Sequence, residues 1–101
     1  MNNSNQIIIA LNKVNCDAIN YCTHYTVNNA HPIYYDALYQ AYSKVIELTN
    51  SVASYDERLV LLADYLNKRA RALKALYKKT QHGDYFDAAY TLKNNLLPFA
   101  I

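Results

Sequence analysis

The chain has 101 residues, enough for one hydrophobic core and too few for two. One Gly and two Pro beside thirteen Ala and twelve Leu argue against a sandwich or barrel of many short strands, and 26 Ile, Leu, Val and Phe exclude a disordered chain. The net charge of +2 is mild for a protein that must neutralise a run of phosphates, and it is uneven: residues 1–52 hold two Lys against three acids, residues 53–101 eight Lys or Arg against five.

Ser4 precedes an apolar series at Ile7, Leu11, Val14, Ala18, Tyr21, Cys22 and Tyr25, the 3/4 spacing of a helix over 5–27. Asn28, Asn29, Ala30, His31 and Pro32 interrupt it, with Pro32 suited to a first helical turn and His31 to a cap. A second helix over 33–49 follows from Tyr34, Leu38, Ala41, Val45 and Leu48. Ser54 and Glu57 form a capping box that opens a third helix, 55–81, with Leu59, Leu62, Ala63, Leu66, Ala70, Leu73 and Tyr77 on one face. Lys78 and Lys79 complement its C-terminal dipole, and Gly83 is the expected stop. Asp84 is placed to cap a fourth helix over 85–97, whose inward face is read as Phe86, Ala89, Tyr90 and Leu97, ending at Pro98. Short connections make sequential helices antiparallel neighbours, so the expectation is all-α: one domain over 1–101, an antiparallel up-down four-helix bundle with a shorter fourth helix.

Cys16 and Cys22 lie six residues apart in one predicted helix, about 120° from each other, so they are expected to be reduced, buried thiols of a cytosolic protein. The N-terminal residues Met1 to Gln6 carry no Lys or Arg, and the apolar run 7–11 is too short for a signal peptide. One glycine cannot build a phosphate loop, and His24, His31 and His82 stand at no metal-binding spacing. The acids are taken up by helix starts and by Asp64 pairing with Lys68, which leaves no carboxylate pair for acid–base work. These readings favour a non-enzyme without cofactor or metal.

Two surfaces stand out. Lys68, Arg69, Arg71, Lys74, Lys78 and Lys79 run along the third helix with no acid between Asp64 and Asp84; the bland reading is a solvated outer face, the functional one a patch for acidic headgroups, nucleic acid or an acidic partner. In the second helix a further stripe, Tyr35, Tyr39, Tyr42 and Ile46, lies about 110° round from the inward one. It is either the wide apolar arc that a bundle helix needs or a protein-binding face.

With the helices placed, residues 31–97 resemble the class IIa (pediocin-like) bacteriocin immunity proteins. The resemblance is carried by His31, Pro32, Tyr34, Asp36 and Leu38, then Lys44, Val45 and Leu48, then Glu57, Arg58, Leu59 and Val60 with Tyr65 and Leu66, and last by the helix from Asp84 with Leu92, Leu96 and Leu97. The first helix matches in its apolar spacing only. The resemblance implies a small cytosolic four-helix bundle that protects the producing cell from inside. It would recognise the mannose phosphotransferase permease once a bacteriocin has engaged it, in contact with the inner leaflet. It directs attention to Lys68, Arg71, Lys74, Lys78 and Lys79 and to Tyr85, Tyr90, Leu97 and Phe99. Two further readings stand beside it: a small phage- or plasmid-type inhibitor or adaptor binding a host protein through Tyr35, Tyr39, Tyr42 and Ile46, and a nucleic-acid-binding helical bundle.

Overall fold

The computed structural model describes residues 3–28 and 33–100, with side chains over 5–24 and 33–98. Apart from the connections at 50–54 and 81–82, every described residue is helical. Helix α1 spans Asn3–Asn28, α2 Ile33–Thr49, α3 Tyr55–Thr80 and α4 Gly83–Thr91; α4 runs on through a π turn, Leu92–Leu96, into a last short helix α5, Leu97–Ala100. The expected helix 1, 2 and 3 limits hold to within two residues, and His31 and Pro32 lie outside the described residues.

The boundaries follow from local chemistry. Ser54, extended at φ −62° and ψ 161°, accepts the Glu57 N–H on its Oγ at 3.3 Å and the Arg58 N–H on its carbonyl at 2.9 Å, so the predicted cap opens α3. Arg58 then reaches back over the loop, donating from Nε to the Ala53 carbonyl at 2.9 Å and from Nη1 to the Thr49 carbonyl at 3.1 Å, with its guanidinium 5.1 Å from the Tyr55 ring centre. It thereby satisfies a carbonyl at the end of α2 that no helical N–H can reach. The buried Thr49 hydroxyl lies 2.8 Å from Asn15 Oδ1 and 3.0 Å from the Ile46 carbonyl, tying α2 to α1.

At the other end of α3 the expectation fails in detail. Gln81, not Gly83, takes the left-handed position (φ 60°, ψ 23°), its N–H bonded to the Tyr77 carbonyl at 2.7 Å and its Nε2 to the Lys78 carbonyl at 3.0 Å. Gly83 has no positive φ and is the first residue of α4, where an added Cβ would meet nothing within 4 Å. His82 stands at the N-cap without a side-chain bond, and Asp84, expected to cap, sits inside the first turn, where its charge still favours the dipole.

The fourth helix also continues past its predicted end. Pro98 has no N–H for the Asn94 carbonyl, and its ring would crowd that carbonyl in a regular α-helix. The chain widens just before it: the Leu97 N–H bonds to the Leu92 carbonyl, five residues back, and the helix passes through Pro98 to Ala100.

All four long segments contribute to one core: Leu11, Val14 and Ala18 from α1; Ala37, Leu38, Ala41, Tyr42 and Val45 from α2; Leu62, Leu66, Ala70 and Leu73 from α3; Ala88, Ala89, Leu92 and Leu96 from the C-terminal segment. The alanines let backbones approach. α2 packs on α1, α3 and α4; α3 also packs on α1 and along the whole C-terminal segment; α1 meets that segment at α5. α1 and α4 are not a packed pair. Phe86 and Tyr90, read as inward, are 46% and 62% exposed, because the face of α4 turned to α2 and α3 is the one carrying Ala88 and Ala89. Cys16, expected to be buried, is exposed; Cys22 is half-buried with Sγ 3.9 Å from Ser43 Oγ, and burial raises its thiol pKa.

Candidate interaction surfaces

The basic residues of α3 do not form one uniform face. Lys68 is exposed and pairs with Asp64 at 3.0 Å, the i, i+4 pair read from the sequence, while Arg71, Lys78 and Lys79 are exposed and Lys74 is half-buried. Arg69 turns inward: its Nε is buried without a hydrogen-bond partner among the described residues, and its charge acts on the Tyr65 phenol, whose pKa burial nonetheless raises.

Exposed cations gather instead in the last turn of α3, beside an aromatic pair. Tyr77 and Phe86 bring their rings to 5.5 Å across the α3–α4 corner, next in sequence to Lys78 and Lys79. Tyr90, one turn beyond Phe86, continues the exposed aromatic edge along α4. Tyr85 is half-buried against the core with its ring 6.4 Å from that of His82, and Leu97 packs on the core as well. The Phe99 side chain lies outside the described residues. Of the predicted site, the structure therefore joins Lys78 and Lys79 to one aromatic edge and draws Tyr85 and Leu97 into the packing. Periodicity assigns both Phe86 and Tyr90 to the core; the adjacent small pair Ala88 and Ala89, which takes the inner face instead, is the signal that could have shown it.

The tyrosine stripe of α2 divides. Tyr42 is 3% exposed and Ile46 packs on the core, Tyr39 is half-buried, and Tyr35 is 43% exposed, so the four do not share one open face. Tyr35 and Tyr42 join a different cluster with Tyr21 and Tyr34. Tyr21 stacks edge-on against Tyr42 at 4.5 Å and donates its hydroxyl to the Tyr35 carbonyl at 3.1 Å; the rings of Tyr34 and Tyr35 meet edge-on at 5.1 Å. Tyr34 Oη lies 3.0 Å from Thr91 Oγ1, which itself donates to the Asp87 carbonyl at 2.9 Å. The Tyr42 phenol pKa is raised, first by burial and then by the Asp17 carboxylate nearby.

These tyrosines floor a groove where α1 and α4 diverge. One lobe, of about 520 Å³, is bounded by Tyr34, Tyr35, Asp84, Asp87, Tyr90 and Thr91. A second, of about 370 Å³, shares Tyr34, Tyr35 and Thr91 with the first and extends along Asp17 and Asn20 of α1 to Asn95 in the π turn. A helical reading of each segment by itself could not find it, since it depends on which helices pack closely and which do not.

Among the described residues no cluster of three His, Cys, Asp or Glu side chains could hold a metal ion, and no helix is long and apolar enough to cross a membrane. Compared with protein-family models, curated proteins and solved structures, the chain matches none.

Proposed function

We propose that the chain is a non-catalytic immunity protein of the class IIa bacteriocin type, an up-down helical bundle that acts from the cytosolic side on a bacteriocin-engaged permease of the mannose phosphotransferase kind. The observation that carries the reading is the α3–α4 corner, where exposed Lys78 and Lys79 adjoin the Tyr77–Phe86 ring pair and the open edge of Tyr90. Cations beside amphipathic aromatics suit a surface that meets anionic headgroups or the cytosolic face of a membrane protein, because the charges steer and the rings settle at a wet, partly apolar boundary. The sequence pattern of residues 31–97 supplies the family side of the reading.

The test is expression inside a strain sensitive to pediocin-like bacteriocins, followed by growth inhibition with a panel of them. Protection against one or a few is expected. The pair of substitutions Lys78→Glu and Lys79→Glu, and separately Phe86→Ser, should lower it without changing the amount of soluble protein. Uniform sensitivity of cells that contain the folded protein would overturn the proposal.

A further inference from the structure

α1 and α4 both rest on α2 without packing extensively on each other, and the groove between them has a chemistry opposite to that of the rest of the molecule. The chain as a whole is +2, yet the carboxylates beside this tyrosine floor are Asp17 from the α1 wall and Asp84 and Asp87 from the α4 wall, with the His24 imidazole on the α1 side of the second lobe. None of the three has an ion-pair partner among the described residues. Asp84 serves the start of α4 by its position. Asp17 stands in the middle of α1, exposed and far from either helix end, with Lys13 one turn before it on a neighbouring surface, and its charge is felt by the Tyr42 phenol in the groove.

We infer that this groove docks a cationic, extended or helical peptide segment of a partner protein, with Lys or Arg side chains lying between the Asp17 wall and the Asp84–Asp87 wall. A cation there gains attraction from carboxylates on both sides and from the tyrosine faces beneath it, which attract cations through their ring quadrupole. Tyr35 and Tyr90, 43% and 62% exposed, supply contact area with few rotatable bonds to freeze. Asn20 and Asn95 offer both donor and acceptor groups to the backbone of such a segment. The two lobes share their central residues, so the space is an elongated trough of several hundred Å³ rather than a closed chamber, a shape that fits a chain segment better than a compact small molecule. This assignment goes beyond the immunity reading and does not depend on it, because the α3–α4 corner and the groove use different charges.

The experiment uses the full chain and a short fluorescein-labelled peptide with Lys at every third position and Leu and Tyr between, beside the same peptide with Glu in place of Lys. Anisotropy should show salt-dependent binding of the Lys peptide and none of the Glu peptide. Amide chemical-shift changes should fall at residues 17, 20, 34, 35, 90 and 95. The triple variant Asp17→Asn, Asp84→Asn, Asp87→Asn should bind about tenfold more weakly. Should that variant melt early in circular dichroism, Asp17→Asn alone, which touches no helix end, should still weaken binding by about threefold. Equal binding by the variants, shifts confined to α3, or no binding of the Lys peptide would overturn the proposal. A concentration-dependent dimer whose dissociation produces the same shifts would also overturn it and assign the groove to a second copy of the chain.

Discussion

Tyr34 on α2 donates its hydroxyl proton to Thr91 Oγ1 on α4 across 3.0 Å. The direction is fixed because the single Thr91 proton is already given to the Asp87 carbonyl at 2.9 Å. The bond therefore joins two helices and relays to the backbone of the second.

Replacing Tyr34 by Phe removes the donor while leaving Thr91 bonded to its own helix. The expected cost is about 0.5–1.5 kcal/mol. For a domain of this size that corresponds to a loss of roughly 4–8 °C in melting temperature per kcal/mol, read by circular dichroism. An unchanged melting curve would mean that water replaces the bond without penalty.

Arg58 holds the α2–α3 loop through two carbonyls, those of Ala53 and Thr49, and lies over the Tyr55 ring. Arg58→Ala should cost about 1.5–3 kcal/mol in urea unfolding, since the bonds lost come from a charged donor. Arg58→Lys should recover little of it, because an ammonium cannot present two donors in fixed directions to two carbonyls.

The α3–α4 connection separates two readings of its glycine. With Gly83 an ordinary helical residue in open space, Gly83→Ala should stabilise by about 0.4–1 kcal/mol. Gln81→Gly exchanges relief of the left-handed strain for loss of the Nε2 bond to the Lys78 carbonyl and greater freedom of the unfolded chain, and should change stability little. A destabilised Gly83→Ala protein would return the helix stop to Gly83.

The raised pKa of Tyr42 makes a statement about alkaline stability. Burial, and next the Asp17 charge, hold its phenol protonated in the folded chain above the ordinary value of 10.0, so the unfolded chain loses this proton first as the pH rises. The contribution is complete below about pH 10 and falls above it, by at most about 1.4 kcal/mol per pH unit for this group. Thermal melts of the parent and of Tyr42→Phe should run parallel from neutral pH to about pH 9 and diverge beyond about pH 10, with the Phe variant declining less steeply.

The two thiols differ in reach. Cys16 is exposed, while Cys22 is half-buried beside Ser43 with its pKa raised. A colorimetric disulfide reagent at pH 8 should modify Cys16 fast and Cys22 slowly in the native protein, and both at one rate in urea. Equal native rates would contradict the placement of α1 against α2.

The helices were legible where one physical signal dominates. The apolar spacing of Leu62, Leu66, Ala70 and Leu73 placed the inner face of α3, and Ser54 with Glu57 marked its start. Reading failed where two signals compete. Phe86 and Tyr90 are as apolar as a core helix requires, but Ala88 and Ala89 let the backbone come closer, and the small residues won the inner face. A left-handed position suggests Gly, yet Gln81 was nearer to the last free carbonyls of α3 and could bond to one of them with its own amide. Among the candidate site residues, Lys78 and Lys79 are exposed as read and Tyr90 is exposed against its inward reading, whereas the α2 stripe splits because Tyr42 and Ile46 face neighbours that a single helix does not reveal. The groove is of the same kind: its lining comes from three segments, and it opens where α1 and α4 do not pack closely.

The widened turn at Leu92–Leu96 fixes the helical phase of everything after it. It holds one residue more than an α turn, and removing one residue within it would restore the α repeat and rotate the chain beyond by about 100°. α5 now packs on α1 and α3; after such a deletion Leu97 would point elsewhere and α1 would lose its support from the C-terminal segment, although α4 itself would be unchanged. A point deletion there should therefore loosen the first helix of the chain, a remote effect that hydrogen exchange along α1 would reveal.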